Sequence, residues 1–234
     1  MALNLDERGH GALLARGCDR CTLADAAAGA ILSDVTSPPH EPLIRRVLGT
    51  NFLELRLARL VIEEDDTAGP DTTSHVRLTV LEGEQSHEVE GKGVGVVDAV
   101  HAALLGRYAR EYQSLKTIQL SEFRVAADVQ TKKAESGVDA IARVTLDVTN
   151  SEGRHFTFSD ASRSATTSSA RAVLAMVQYF VNAERAFVTL HNARRDALAR
   201  GREDLVSRYT AEMAAVVEST SYAEVIANIR KELS

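Results

Sequence analysis

The chain has 234 residues, the length of one large domain or of one domain with extensions at ~150 residues per domain. Hydrophobic residues make up 44% and charged residues 26%, enough apolar side chain to bury a sizeable core. The 27 Lys and Arg against 33 Asp and Glu give a net charge of −6, which argues against a general nucleic-acid binder or a protein drawn to anionic membranes. No apolar run reaches ~18 residues, so no membrane span is expected. The charges at Asp6, Glu7 and Arg8 argue against a signal peptide. A cytoplasmic protein is expected.

Residues 1–50 are rich in Ala and Leu and read as a helical N-terminal extension. Short helices are expected at residues 24–32 and 43–48, with extended chain between them around Pro38, Pro39 and Pro42. The only cysteines, Cys18 and Cys21, form a C-x-x-C pair. No strand precedes them, as a thioredoxin-like motif requires. His10 and His40 do not complete a zinc set of recognisable spacing. The pair is read as two free thiols, and no metal or cofactor is expected.

Residues 51–183 carry the clearest pattern, three strands followed by a helix, given twice. Leu53, Leu55 and Leu57 alternate, and Leu60 and Ile62 follow after a change of phase. A polar loop follows at residues 65–74. Val76, Leu78 and Val80 then alternate with Arg77 and Thr79 as a half-buried strand should. Glu82, Gly83 and Glu84 make a tight turn into a third strand at residues 86–90. Residues 91–95, with three glycines, read as a turn into an amphipathic helix carrying Val97, Val100, Leu104 and Tyr108.

The second unit repeats the order. Ile118, Leu120, Phe123, Val125, Ala127 and Val129 form a strand with a bulge near Ser121 and Glu122, and residues 132–137 a polar loop. Ala142, Val144, Leu146 and Val148 alternate, residues 150–153 turn, and residues 155–158 form the third strand. A Ser/Thr-rich turn at residues 162–169 leads into a helix through Val173, Met176, Val177 and Phe180. Matching residues 76–80 to residues 142–146 gives an offset of 66, the mark of an internal duplication. Residues 184–234 read as a helical C-terminal extension. Leu190, Ala193, Ala197 and Leu205 lie on one face, Gly201 breaks the run, and Tyr222, Val225, Ile226 and Ile229 mark a last helix. The fold class is therefore α+β, with two consecutive β-β-β-α units between helical extensions.

Three stretches in this order resemble the C-terminal regulatory domain of the α-isopropylmalate synthase and citramalate synthase family. Residues 93–99, Gly-Val-Gly-Val-Val-Asp-Ala, are similar to its G-x-G-P-V-[DN]-A turn and helix. Residues 120–125 are similar to its L-x-[DE]-[YF]-x-V strand, and residues 137–144 to G-x-D-A-x-A-x-V. The chain departs from the pattern at Val96, where the family has proline. At the second helix entry, Asp160 and Ser164 stand where it has Gly and Asp or Asn. Ser162 and Ser169 match.

The resemblance implies a homodimer that binds a branched-chain amino acid, leucine or isoleucine, as a feedback effector. It implies an effector site built from Gly93, Gly95, Val97, Asp98, Ala99, Ser162 and Ser164, where the two units meet. The physics suits an amino acid. Free N–H groups at a helix start can hold its α-carboxylate, and Asp98 either meets its ammonium group or caps the helix. The metal-dependent (β/α)8 barrel that precedes this domain in the family needs ~250 residues, and only about 50 precede it here. No H-x-H metal pair occurs in the sequence. The chain thus reads as a stand-alone regulatory protein acting on a separate catalytic barrel that condenses an acyl-CoA with a 2-keto acid. Two alternatives stay open. One is an enzyme recruited to act on a related small molecule such as a keto acid, and the other a structural dimerisation module whose pocket has decayed. His101 reads as packed or solvent-facing, not catalytic. His75, His87 and His155 share no metal spacing, and Arg194, Arg195, Arg200 and Arg202 read as a solvated helix face.

Overall fold

The computed structural model describes residues 38–65, 73–128 and 141–219. All of them fall in one compact unit. The expected helices at 24–32 and around Tyr222 to Ile229, both cysteines and Val129 lie outside the described residues, as do most of the two expected loops.

Helix α1 spans Glu41–Leu48 and turns its Ile44 and Leu48 into the core. It starts earlier than the sequence suggested, because Pro42 sits in its first turn, where a missing N–H costs nothing. Extended chain therefore stops before Glu41, and His40 makes the turn with φ 62°. A short 3-10 turn, Gly49–Asn51, leads toward β1, Leu55–Asp65. Strands β2, Thr73–Glu82, and β3, Gln85–Val94, complete an antiparallel sheet in the order β1-β2-β3. Helix α2, Val96–Tyr108, packs across β3 and β2. After a 3-10 turn at Gln113–Thr117, β4 (Gln119–Asp128), β5 (Ile141–Thr149) and β6 (His155–Ser162) make a second sheet in the order β4-β5-β6. Helix α3, Ala165–Ala199, follows, then α4, Glu203–Val217. The two β-β-β-α units and the flanking helices are thus present, and the fold is α+β.

The duplication shows in the strand irregularities. In the first sheet a bulge falls between Leu57 and Arg59, with Leu57 opposite Val80. In the second it falls between Leu120 and Glu122, with Leu120 opposite Val148. These are the change of phase and the bulge read from the sequence. Val80 and Val148 are 68 residues apart, so the true offset of the central strands exceeds the expected 66 by two. A slip of two leaves every side chain on its own face, so hydrophobic alternation alone could not detect it. The helix starts, at Gly95 and Ser164, lie 69 residues apart.

Val76, Leu78 and Val80 on β2, and Val144, Leu146 and Val148 on β5, are all but fully buried. Burying each such side chain stabilises the fold by about 1.5–3 kcal/mol. Helix α3 is buried around most of its circumference from Ala170 to Phe187, with Arg171 and Ala175 exposed on one narrow face, as a helix near the centre of a core should be. It packs on β5, β6, β1, α1, α2 and α4. Phe156, Phe158, Tyr179 and Phe180 fasten it to the second sheet, with ring centroids 5.1–6.1 Å apart. Amide side chains fasten it to the first. Leu53 N–H donates to Asn182 Oδ1 at 2.8 Å, Asn182 Nδ2 donates back to Leu53 O at 2.8 Å, and Leu55 N–H donates to Gln178 Oε1 at 2.7 Å. The boundary expected at residue 183 therefore falls inside one continuous helix. Gly201, with φ 68°, ends the run as expected. Arg202 N–H bonds to Ala197 O and Gly201 N–H to Leu198 O, a Schellman closure that turns the chain into α4.

The run of glycines before α2 is not the turn that the sequence suggested. Gly91 and Gly93 are paired residues of β3, opposite Val76 and Ser74, and only Gly95 turns. Their smallness serves close packing. A Cβ on Gly91 would lie 2.2 Å from Ala99 O and 2.5 Å from Ala103 N, both backbone atoms of α2. Gly91→Ala is expected to destabilise the domain by about 3 kcal/mol, since the obstacle is backbone and not a movable side chain. Gly106→Ala, with nothing within 4 Å of the new methyl, should stabilise it by about 0.5–1 kcal/mol. Urea midpoints of the two variants against the parent chain test the pair.

Candidate functional site

The expected site residues lie at the two helix entries, and the duplicated fold makes these entries equivalent. Gly93 corresponds to Ser162, paired with Ser74 and Ala142 respectively, and Gly95 corresponds to Ser164, each the N-cap of its helix. Beyond that the two differ.

At α2, Gly95 has φ 85° and ψ 168°, a backbone that suits glycine, and offers no side-chain cap. The first intrahelical bond runs from Ala99 N–H to Gly95 O. The N–H groups of Val96, Val97 and Asp98 precede it, at the positive end of the helix dipole. The exposed Asp98 carboxylate turns back and accepts Val94 N–H through Oδ2 at 3.0 Å. Gly93 lies flat on this turn, and a Cβ there would come 2.4 Å from Asp98 Oδ2 and 2.5 Å from Ala99 N. Val97 is half-buried, whereas Ala99 is wholly buried against β3 and belongs to the core.

At α3 the hydroxyls are occupied with one another. Ser164 Oγ accepts Thr167 N–H at 3.2 Å, the N-cap bond, and also lies 3.1 Å from Thr167 Oγ1. Ser162 Oγ donates to Ser164 O at 2.9 Å, accepts Ser164 N–H at 3.2 Å and is 2.8 Å from Ser168 Oγ. The Ser/Thr-rich turn expected at 162–169 shrinks to Arg163 and Ser164. Ser162 ends β6, and the helix starts at Ala165, because Ser164 supplies the cap. Of the expected residues, Gly93, Gly95, Val97 and Asp98 thus share one turn with open N–H donors. Ser162 and Ser164 share the other, where the Ser164 hydroxyl already caps the Thr167 N–H.

His101 follows Asp98 by almost one turn of α2. Its Nε2 is buried without a hydrogen-bond partner. Burial lowers its pKa, and the Asp98 carboxylate opposes that shift. No group of three metal-ligating side chains forms among the described residues. No helix among them is long and apolar enough to cross a membrane. Two of the cavities among the described residues lie elsewhere. One, of about 120 Å³, is on the first sheet beside Arg59, Arg77, Glu88 and Glu90. The other is an open groove of about 640 Å³ between the Gly49–Asn51 turn, the β2–β3 turn and Arg185 of α3. Arg185 escaped sequence reading, since nothing local sets it apart from other helix arginines.

Two antiparallel three-stranded sheets, each followed by a helix whose entry is lined by Gly or Ser, define a duplicated α+β domain. The family model of the LeuA allosteric (dimerisation) domain matches residues 34–181. That is more than half of the chain, and the protein belongs to this family, whose domain regulates and dimerises. A search of curated proteins finds no match.

The His101 shift sets a pH dependence. A histidine whose folded pKa lies below its unfolded value near 6.5 gives its full stability above that value and loses it as pH falls through the window below. His101 should titrate below 6.5 by NMR, and Asp98→Asn should move it lower still by removing the opposing charge. A His101 pKa unchanged or raised in Asp98→Asn would contradict this placement.

Proposed function

We propose that the domain pairs with a second copy of itself and binds a branched-chain amino acid, leucine or isoleucine, at the entry to α2. The observation that carries this reading is the contrast between the two helix starts. The α3 entry is capped by its own hydroxyls, while the α2 entry has a glycine cap and no side chain over its first N–H groups. Those donors and the helix dipole suit the α-carboxylate. Asp98, exposed in the same turn, suits the ammonium group, and half-buried Val97 lies beside them for the aliphatic side chain. Gly93 and Ala99 hold the turn against β3 and shape the site without touching the ligand. Ser162 and Ser164 set the second helix in place. The controlled enzyme is one that condenses an acyl-CoA with a 2-keto acid, carried on this polypeptide or on another.

Thermal unfolding with leucine, isoleucine, valine and their 2-keto acids tests this. An amino acid at one hundred times its dissociation constant should stabilise by ~2.7 kcal/mol, which is about 5–10 °C in Tm for a chain of this size. Asp98→Asn keeps an acceptor for Val94 N–H but removes the charge. It should weaken the amino acid by roughly tenfold, ~1.4 kcal/mol. Ser164→Ala should lower stability by ~1 kcal/mol and leave affinity unchanged. A response to keto acids alone, or equal binding by Asp98→Asn, would defeat the proposed role of Asp98.

A further inference from the structure

We propose that the groove at the opposite end of the first sheet is a second ligand site, one for a small carboxylate with an apolar body, read out by Arg185. It is remote from the α2 entry. Gly95 follows the end of β3 that pairs with Thr73, whereas Glu82, Gly83 and Gln85 in the groove form the hairpin turn at the other end of the same strands. At about 3.3 Å per residue, ten paired residues separate the two by roughly 30 Å.

The charges of the groove leave one cation over. Arg45 is held by Glu41 at 2.9 Å and Glu54 at 3.6 Å. Glu82 is held from three sides. Tyr108 donates its hydroxyl to Oε1 at 2.5 Å, Arg107 lies 2.8 Å from the same oxygen, and His87 Nε2 is 3.7 Å from Oε2. Burial alone would raise the Glu82 carboxyl, but the hydrogen bonds from Tyr108 and Arg107 and the nearby positive charges outweigh it and hold it below its usual range. Glu82 is therefore an ionised, fully engaged group and not a counter-ion for the groove. Arg185 has no ion-pair partner among the described residues, although it is half-buried on α3. A partly desolvated guanidinium without an anion is unfavourable, and its planar fork matches a carboxylate in bidentate geometry.

Shape and lining suit the rest of such a ligand. Arg45 lies over the Phe52 ring, 4.0 Å from its centroid, so ring and guanidinium form one flat, braced wall. Leu53 continues that wall, and its backbone is fixed by Asn182. The groove's 640 Å³ is within the range of small-molecule sites. The wall is built before any ligand arrives, because buried Asn182 fixes the Leu53 backbone, and Phe52 and Leu53 pack against the core.

Isovalerate is the probe, since it has a carboxylate and a branched body but no ammonium group for Asp98. Calorimetric titration of the full chain should show saturable 1:1 binding. Arg185→Gln should weaken it at least tenfold, Arg185→Lys should weaken it less, and Asp98→Asn should leave it unchanged. Isovaleramide, which is neutral, should not bind. Leucine binding at the α2 entry should be the same in Arg185→Gln as in the parent, so this proposal and the effector reading fail separately. Circular dichroism melts of both Arg185 variants within a few degrees of the parent establish that the fold is kept. Absence of isovalerate binding to the parent chain overturns the proposal. So does equal binding by folded Arg185→Gln, or loss of binding in Asp98→Asn.

Discussion

Two glycines of β3 pressed against a helix backbone set the geometry of the first half of this domain. Gly91 and Gly93 of β3 let α2 come so near that an added methyl group at either would overlap backbone atoms of Ala99 or Ala103, or the Asp98 carboxylate. That approach fixes the start of α2 directly after β3, with only Gly95 to make the turn. It also explains why Ala99 and Ala103 are alanines, since larger side chains at these buried positions would push strand and helix apart. The second unit has Asp160 and Ser162 in the places of Gly91 and Gly93. Side chains there rule out the same approach, and the entry to α3 is organised instead by a chain of hydroxyls from Ser162 to Ser168. One duplicated frame thus yields two unlike helix starts, one open and one closed on itself.

Helix α3 makes the two units one body. It belongs to the second unit by sequence, but its Gln178 and Asn182 hydrogen-bond the chain entering β1 as a neighbouring strand would. Buried amides that meet backbone groups in this way fix register as well as contribute stability. Further along, Ser114 donates its hydroxyl to the buried Glu184 at 2.5 Å, which ties the linker between the units to the same helix. The Tyr179 hydroxyl bonds to Pro39 O and lies 2.7 Å from Ser219 Oγ, joining the start of α1 and the end of α4.

Much of this was legible in the sequence because it is local. Val76, Leu78 and Val80 alternate as a half-buried strand must, and the phase change after Leu57 and the break at Ser121 are bulges seen as faults in that alternation. Gly201 stops a helix for the usual backbone reason. The glycines at 91 and 93 misled, because a glycine-rich run looks the same whether it turns or lies flat under a helix; only the pairing with β2 tells them apart. The duplication was visible, but its offset was not, since a two-residue slip preserves the pattern. The boundary at 183 was drawn where the repeat ends, whereas the helix continues because Asn182, Ala186, Phe187 and Leu190 still face the core. The groove at Arg185 joins residues more than a hundred positions apart, and no local signal marks it.

In the proposed function, the open start of α2, and not the self-capped start of α3, receives the effector's carboxylate. Amide chemical shifts in a leucine titration of the ¹⁵N-labelled chain measure this directly. The largest shifts are expected at the Val96, Val97 and Asp98 amides, with the Thr167 amide still held by Ser164 and nearly unmoved. Shifts centred on Thr167 and Ser168, or none at Val96 and Val97 under saturating leucine, would contradict it.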